Sequence, residues 1–175
     1  DLVDTAGVRT TYASAILEHN IPEHDAVTVA RMKAAGAVLV GKVSTPEFGH
    51  KPMNESPLFG RTVNPWDQSR TSGGSSGGSA AALASGMAPL SIGTDAGGSI
   101  RIPAACCGVV GMKGTLGLVP HDNAPDGFGN FSNQGPMARS VADAALMLSV
   151  LAGPHPNDPH SHGLPKDDYV AAAKG

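Results

Sequence analysis

The sequence is short of charge, of aromatic rings and of cysteine. Only 15% of its 175 residues are charged, and the net charge is −3. With Lys and Arg scattered rather than striped, that balance leaves no basic footprint for nucleic acid. Aromatic residues make up 4%, so the core must be built from aliphatic and small side chains. The two cysteines, Cys106 and Cys107, are neighbours inside an apolar segment. Adjacent thiols make no disulfide framework and lack the paired spacing of a zinc site, which fits a reducing, cytoplasmic setting. No apolar run approaches the length of a membrane span. The residues from Asp1 carry neither the basic start nor the apolar stretch of a signal peptide, and the first residue is an aspartate rather than an initiator methionine. What is present in quantity is glycine (23 residues), proline (14) and a 41% hydrophobic content, enough for one packed globular domain.

Along the chain, Asp25 is placed to cap a helix reaching Ala35, with Val27, Ala30 and Ala34 at helical spacing and Gly36 as its stop. Ala37-Val38-Leu39-Val40 is a continuous apolar run, the pattern of a strand buried on both faces in a parallel or mixed sheet. Residues 44–72, with Pro46, Pro52, Pro57 and Pro65, read as a long irregular connection, and long ordered loops are often functional. An Ala-rich helix follows from about Ser79 to Ser85, then a strand across Leu90–Gly93, another short helix, and a second buried strand at Val109–Met112. His121 to Gly129 is a polar loop. Ser140 and Asp143 form a capping box for a helix whose Val141, Ala145, Leu148 and Ala152 share a face, ended by Gly153 and Pro154. The expected division is a core over residues 1–153, then a mobile linker and the start of a further part over 154–175.

Two glycine-serine turns draw the chemistry. Gly73-Gly74-Ser75-Ser76-Gly77-Gly78-Ser79 and Gly97-Gly98-Ser99 each put serine beside glycines at a helix start, where unpaired N–H groups accommodate negative charge. Neither run continues into Gly-Lys-Ser/Thr, nor has the Rossmann spacing, so phosphate cradling is a weak reading. Gly73-x-Ser75-x-Gly77 also matches a nucleophile elbow, with Asp126 and then His155, His160 or His162 as partners in chain order, but this leaves the second serine turn unexplained. For either turn alone, a flexible connection without chemistry is the default.

Taken together, the Gly73–Ala82 stretch and Gly93-Thr94-Asp95-Ala96-Gly97-Gly98-Ser99-Ile100-Arg101-Ile102-Pro103 closely resemble the amidase signature family. The likeness extends upstream through Gly41-Lys42, Pro46-Glu47-Phe48-Gly49 and Asn64-Pro65-Trp66. Downstream it runs through Cys107–Lys113 and Gly135–Val141 to about Gly153. It implies an α/β fold, a mixed sheet covered by helices, of which this chain supplies a partial domain. It also implies hydrolysis of a carboxamide through an acyl-enzyme, with Ser99 as nucleophile and Ser75 relaying the proton after a cis Gly74–Ser75 bond. The N–H groups of Ala96, Gly97, Gly98 and Ser99 would form the oxyanion hole, and Gly49 would join Ser75 in contacting substrate.

A serine hydroxyl needs a proton acceptor to attack an amide, and the family's acceptor is a buried neutral lysine preceding an aspartate. Here that position falls one residue before Asp1, so the chain by itself is expected to lack amidase activity; Lys42 and Lys113 match other family positions. The resemblance calls for a small-molecule amide substrate, no metal or organic cofactor, and no nucleic-acid or membrane partner. A homodimer is left open. Asp95 and Arg101 are expected to brace the nucleophile turn, Ser76 to support it, and the three late histidines to be solvated loop residues rather than metal ligands. Two alternatives stand beside the amidase: the glutaminase subunit of a tRNA-dependent amidotransferase, against which Ile102 counts because those subunits resemble one another in carrying glutamine there, and a noncatalytic binding or interaction domain.

Overall fold

A three-stranded antiparallel sheet carries the molecule. The computed structural model describes residues 1–122 and 131–174. Most of the expected polar loop over 121–129, and Asp126 with it, lies outside the described residues. The helices are α1 (Val27–Ala34), α2 (Gly77–Ala84), α3 (Arg101–Cys107), α4 (Val141–Leu151) and α5 (Tyr169–Ala172). Two short strands, β1 (Glu55–Ser56) and β2 (Gly60–Arg61), form a small hairpin within the long connection. The main sheet has the order β3 (Leu90–Asp95), β5 (Asn133–Ala138), β4 (Val110–Gly111).

Register decides which helix meets which face. In β3, Ser91 and Gly93 lie opposite Met137 and Gly135 of β5, and Leu90 and Ile92 lie opposite Ala138 and Pro136. Because side chains alternate along a strand, the first set meets α2 and α3: Ser91 Oγ donates to Ser79 Oγ at 2.9 Å, and Met137 packs with Ala80, Leu83, Ile100, Ala104 and Cys107. The second set meets α4, where Leu90 and Ile92 join Met147, Leu148, Leu151 and Val119. Helices on both faces of a sheet give the α/β class that the sequence indicates.

Several local expectations change. Asp25 does not cap α1; its carboxylate takes the Lys33 ammonium at 2.8 Å and the Ala6 N–H at 2.8 Å, while Asp122 accepts the Val27 N–H at 3.1 Å. The orphan donor at a helix start needs an acceptor but not a neighbouring one. Ala37–Val40 is not a strand: it has no ladder partner among the described residues, and Val38 and Val40 are 83% and 77% exposed. Conversely β5, buried along its length, holds the centre of the sheet despite Pro136, whose carbonyl still accepts the Met112 N–H at 3.1 Å. The capping box holds, with Ser140 Oγ accepting the Asp143 N–H at 3.1 Å, but Val141 turns outward while Ala145, Leu148 and Ala152 are buried.

Residues 154–174 fold back on the body. Asp158 accepts the N–H groups of His160 and His121, Ser161 is buried, and Tyr169 packs against the cluster under α4. Among the described residues no helix is long and apolar enough to cross a membrane.

Candidate active site

The two glycine-serine turns meet. The Ser76 N–H donates to Ser99 O at 3.0 Å, and Ser76 Oγ both donates to Thr94 O (3.2 Å) and accepts the Thr94 N–H (3.0 Å). The residue after Ser75 is thereby tied to Ser99 and to the end of β3, which is the supporting role expected of Ser76. The Gly74–Ser75 peptide is cis. Around it, Thr45 Oγ1 donates to Ser75 O at 3.2 Å, and a side chain on Gly74 would meet the Met53 backbone at 2.7 Å. Ser75 is buried and Ser99 half-buried.

Gly49 lies directly against Ser75. A Cβ there would stand 3.3 Å from Ser75 Oγ and 2.7 Å from Leu2, and its φ of +71° is one that side-chain-bearing residues seldom adopt. Glycine is required next to that hydroxyl for both reasons. The preceding Phe48 is itself left-handed at φ +49° and half exposed.

Asp95 organises the turn that carries Ser99. Its buried carboxylate accepts the N–H of Gly98 at 2.7 Å and of Ile100 at 3.1 Å, and is paired with Arg101 through Nε and Nη2, both at 2.9 Å. Burial pushes the carboxyl up, but the Arg101 guanidinium and the backbone N–H groups outweigh it and hold it below the ordinary carboxylate range. The bracing role read from sequence is what the two side chains perform. One consequence was not legible: the Gly98 N–H is already committed to Asp95 and is removed from the expected oxyanion hole. No hydrogen bond among the described residues takes the N–H groups of Ala96, Gly97 or Ser99.

Neither Lys42 nor Lys113 is hydrogen-bonded to the two serines. Lys42 Nζ donates to Val3 O and to Thr5 Oγ1, and burial lowers its pKa to about 8 against the pull of Asp4 and Asp25. Lys113 Nζ donates to Gly114 O at 3.0 Å. No strand leads into Ser75, only an isolated Val63–Thr71 bridge, so the nucleophile-elbow geometry is absent there. The Nδ1 of His155 accepts from Asn157 N within its own turn.

Comparison with known proteins agrees with this geometry. The amidase family model matches residues 1–175. The A subunit of the glutamyl-tRNA(Gln) amidotransferase of Roseiflexus sp. (strain RS-1) is 50% identical over 175 residues, all of this chain and 36% of that protein. Among solved structures, the corresponding A subunit from Thermotoga maritima superposes with a TM-score of 0.85 at 41% identity, covering 94% of this chain and 36% of that one. The peptide amidase of Stenotrophomonas maltophilia does so with a TM-score of 0.89 at 41% identity, over 97% and 36%. The chain thus spans about 36% of the length of the curated relative it matches. The paired serine turns and the match over every residue together establish that this chain belongs to the amidase signature family.

Proposed function

We propose that these residues carry out acyl transfer from a carboxamide, with Ser99 as nucleophile and Ser75 as proton relay. The observation that carries this reading is the Ser76–Ser99 backbone bond, which holds the two serine turns together beside the cis Gly74–Ser75 peptide. Ser99 Oγ attacks the amide carbon and passes its proton through Ser75 to an amine base. The carbonyl oxygen becomes an anion facing the N–H groups of Ala96, Gly97 and Ser99, a kind of contact worth about 3 kcal/mol for one donor in other hydrolases. The leaving amine takes the relayed proton as the C–N bond breaks. Water then releases the carboxylic acid and restores Ser99. The family resemblance puts the base at the position immediately before Asp1, where burial would favour the neutral form of a lysine amine. Free, adjacent thiols at Cys106 and Cys107 support a reducing, cytoplasmic setting.

A second reading is the glutaminase subunit of an amidotransferase, favoured by the 50% identity to the Roseiflexus sp. protein. Ile102 opposes it. This side chain is 36% exposed and sits beside Gly98, with Cδ1 2.9 Å from where a Cβ would be, so it offers the nucleophile turn an apolar neighbour rather than a hydrogen-bonding one. The simple amidase is therefore the first reading.

The test uses the chain extended N-terminally through a lysine directly before Asp1, treated with a fluorophosphonate. Labelling is expected, to disappear in Ser99→Ala and to be weak without the lysine. Labelling that persists in Ser99→Ala, or fails in the extended parent, defeats the assignment. Rates of ammonia release from glutamine and from simple aliphatic amides separate the two readings.

A further inference from the structure

Asn64-Pro65-Trp66 takes no part in the chemistry described so far, yet its side chains engage the far end of the helix that follows Ser99. A helix leaves its last carbonyls without partners inside the helix. In α3 the Ala104 carbonyl is taken by the N–H groups of Gly108, at φ +67°, and of Val109. Two others are taken from outside: Cys106 O accepts from Asn64 Nδ2 at 2.6 Å, and Cys107 O from Trp66 Nε1 at 2.7 Å. Asn64 also accepts the Trp66 backbone N–H through Oδ1 at 2.9 Å, and Pro65 restrains the backbone between them, so the two donors are presented as one unit. Trp66 is 72% exposed; its ring belongs to no core, and its indole N–H is what engages α3.

The loop bearing this clamp is the one that leads into Ser75. The Asn64 N–H donates to Arg70 O at 3.1 Å and Val63 bridges Thr71, which closes the loop. Past it, Ser72 Oγ donates to Thr62 O at 3.1 Å, and Ser72 O accepts the Cys107 thiol at 3.5 Å. Gly73 then passes against the side of α3, where a Cβ would stand 2.8 Å from Pro103 Cα. The helix is thus fixed at both ends: at its start by the Ser76 N–H on Ser99 O and by Asp95, at its finish by Asn64 and Trp66.

We propose that Asn64 and Trp66 are positioning residues, which hold α3 at its far end and so keep the Ser99 turn in register with Ser75. A helix of seven residues is about 10 Å long. Pinned at its start alone, such a rod is free to pivot about the Ser76–Ser99 bond, and a misplacement of about 1 Å at a reacting group costs about a hundredfold in rate. The second pin removes the pivot. It stands on the same loop that delivers Ser75, so one excursion of the chain sets the place of both hydroxyls. The catalytic consequence rests on Ser99 being the nucleophile; the mechanical one does not.

Two variants test it. Trp66→Phe keeps a ring at the surface and loses the N–H; Asn64→Asp keeps the acceptor for the Trp66 N–H and loses the donor. In the 175-residue chain, amide hydrogen exchange at Ser76, whose N–H makes the bond to Ser99, is expected to speed up about fivefold or more in either variant. In the lysine-extended chain, the maximal rate of fluorophosphonate labelling is expected to fall about tenfold or more, while the probe concentration giving half that rate stays within about twofold. A role confined to stability would lower the urea midpoint and leave both readouts at their parent values, and that result overturns the proposal. So does slower labelling without faster exchange at Ser76. Absence of Ser99-dependent labelling in the parent defeats the acyl-transfer reading instead, and exchange at Ser76 then decides the clamp by itself.

Discussion

Asp95 shows how much of the site depends on one side chain. Its carboxylate is buried and takes the Gly98 and Ile100 N–H groups at one end of the turn while holding the half-exposed Arg101 at the other. Asp95→Asn keeps the shape but loses the charge and one acceptor oxygen, leaving a donor poorly satisfied at a cost of about 1–3 kcal/mol. The carboxyl is held below its ordinary value in the folded state, so its contribution is complete above the unfolded-state pKa and is lost as pH falls through the folded one. Urea unfolding at neutral pH should therefore show the Asn variant weaker, and the gap should close in acid below the carboxylate range; an equal gap at both pH values would mean that the charge is not what stabilises the turn. The pairing of Asp95 with Arg101 could be read from sequence because the motif places the two on one short turn, and the family resemblance pointed to the meeting of the two serine turns. The bond that commits the Gly98 N–H to Asp95 could not, since it depends on the path of the turn, and nothing in sequence marked Thr45 as the residue that holds Ser75 O.

Elements here are set by close backbone approach as much as by side-chain pattern. The first turn of α2 lies flush on the chain at Ser44: a Cβ on Gly78 would stand 2.3 Å from Ser44 O and 2.8 Å from Ser44 N. Alanine favours a helix interior over glycine by about 1 kcal/mol, but both obstructing atoms are backbone, and overpacking of this kind costs about 1–3 kcal/mol. Gly78→Ala is expected to lower the urea midpoint; an increase would show that the 44–45 segment yields easily. The same scale explains what sequence can and cannot reveal. α4 is legible because Ser140 and Asp143 carry their own cap. The α1 cap is not, because the acceptor is Asp122, 95 positions away. β5 is hidden because Pro136 speaks against a central strand, and Ala37–Val40 reads wrongly as a formed strand because composition reports what a segment can bury, not whether a partner is beside it.

Across the molecule, the sheet separates two apolar clusters, and the second is closed by residues beyond Gly153. Tyr169 packs against Met147, Leu148 and Leu151, Pro154 O accepts from Arg31 of α1 at 2.8 Å, and Asp158 accepts the His121 N–H at 3.1 Å. The backbone at His160 comes so close to Gly117 that a Cβ there would be 1.9 Å from His160 O. A boundary at residue 153 thus cuts through packed structure. Truncation after Gly153 removes the half-buried Tyr169 ring, worth about 1–2 kcal/mol, and hydrogen bonds of about 1 kcal/mol each. The combined loss of about 3 kcal/mol is a large share of the 5–15 kcal/mol typical of a domain. The truncated chain is expected to unfold at clearly lower urea concentration, with Met147 and Leu148 the side chains newly exposed. An unchanged midpoint would restore the boundary and make residues 154–174 a separate extension, independent of the sheet that positions both serines.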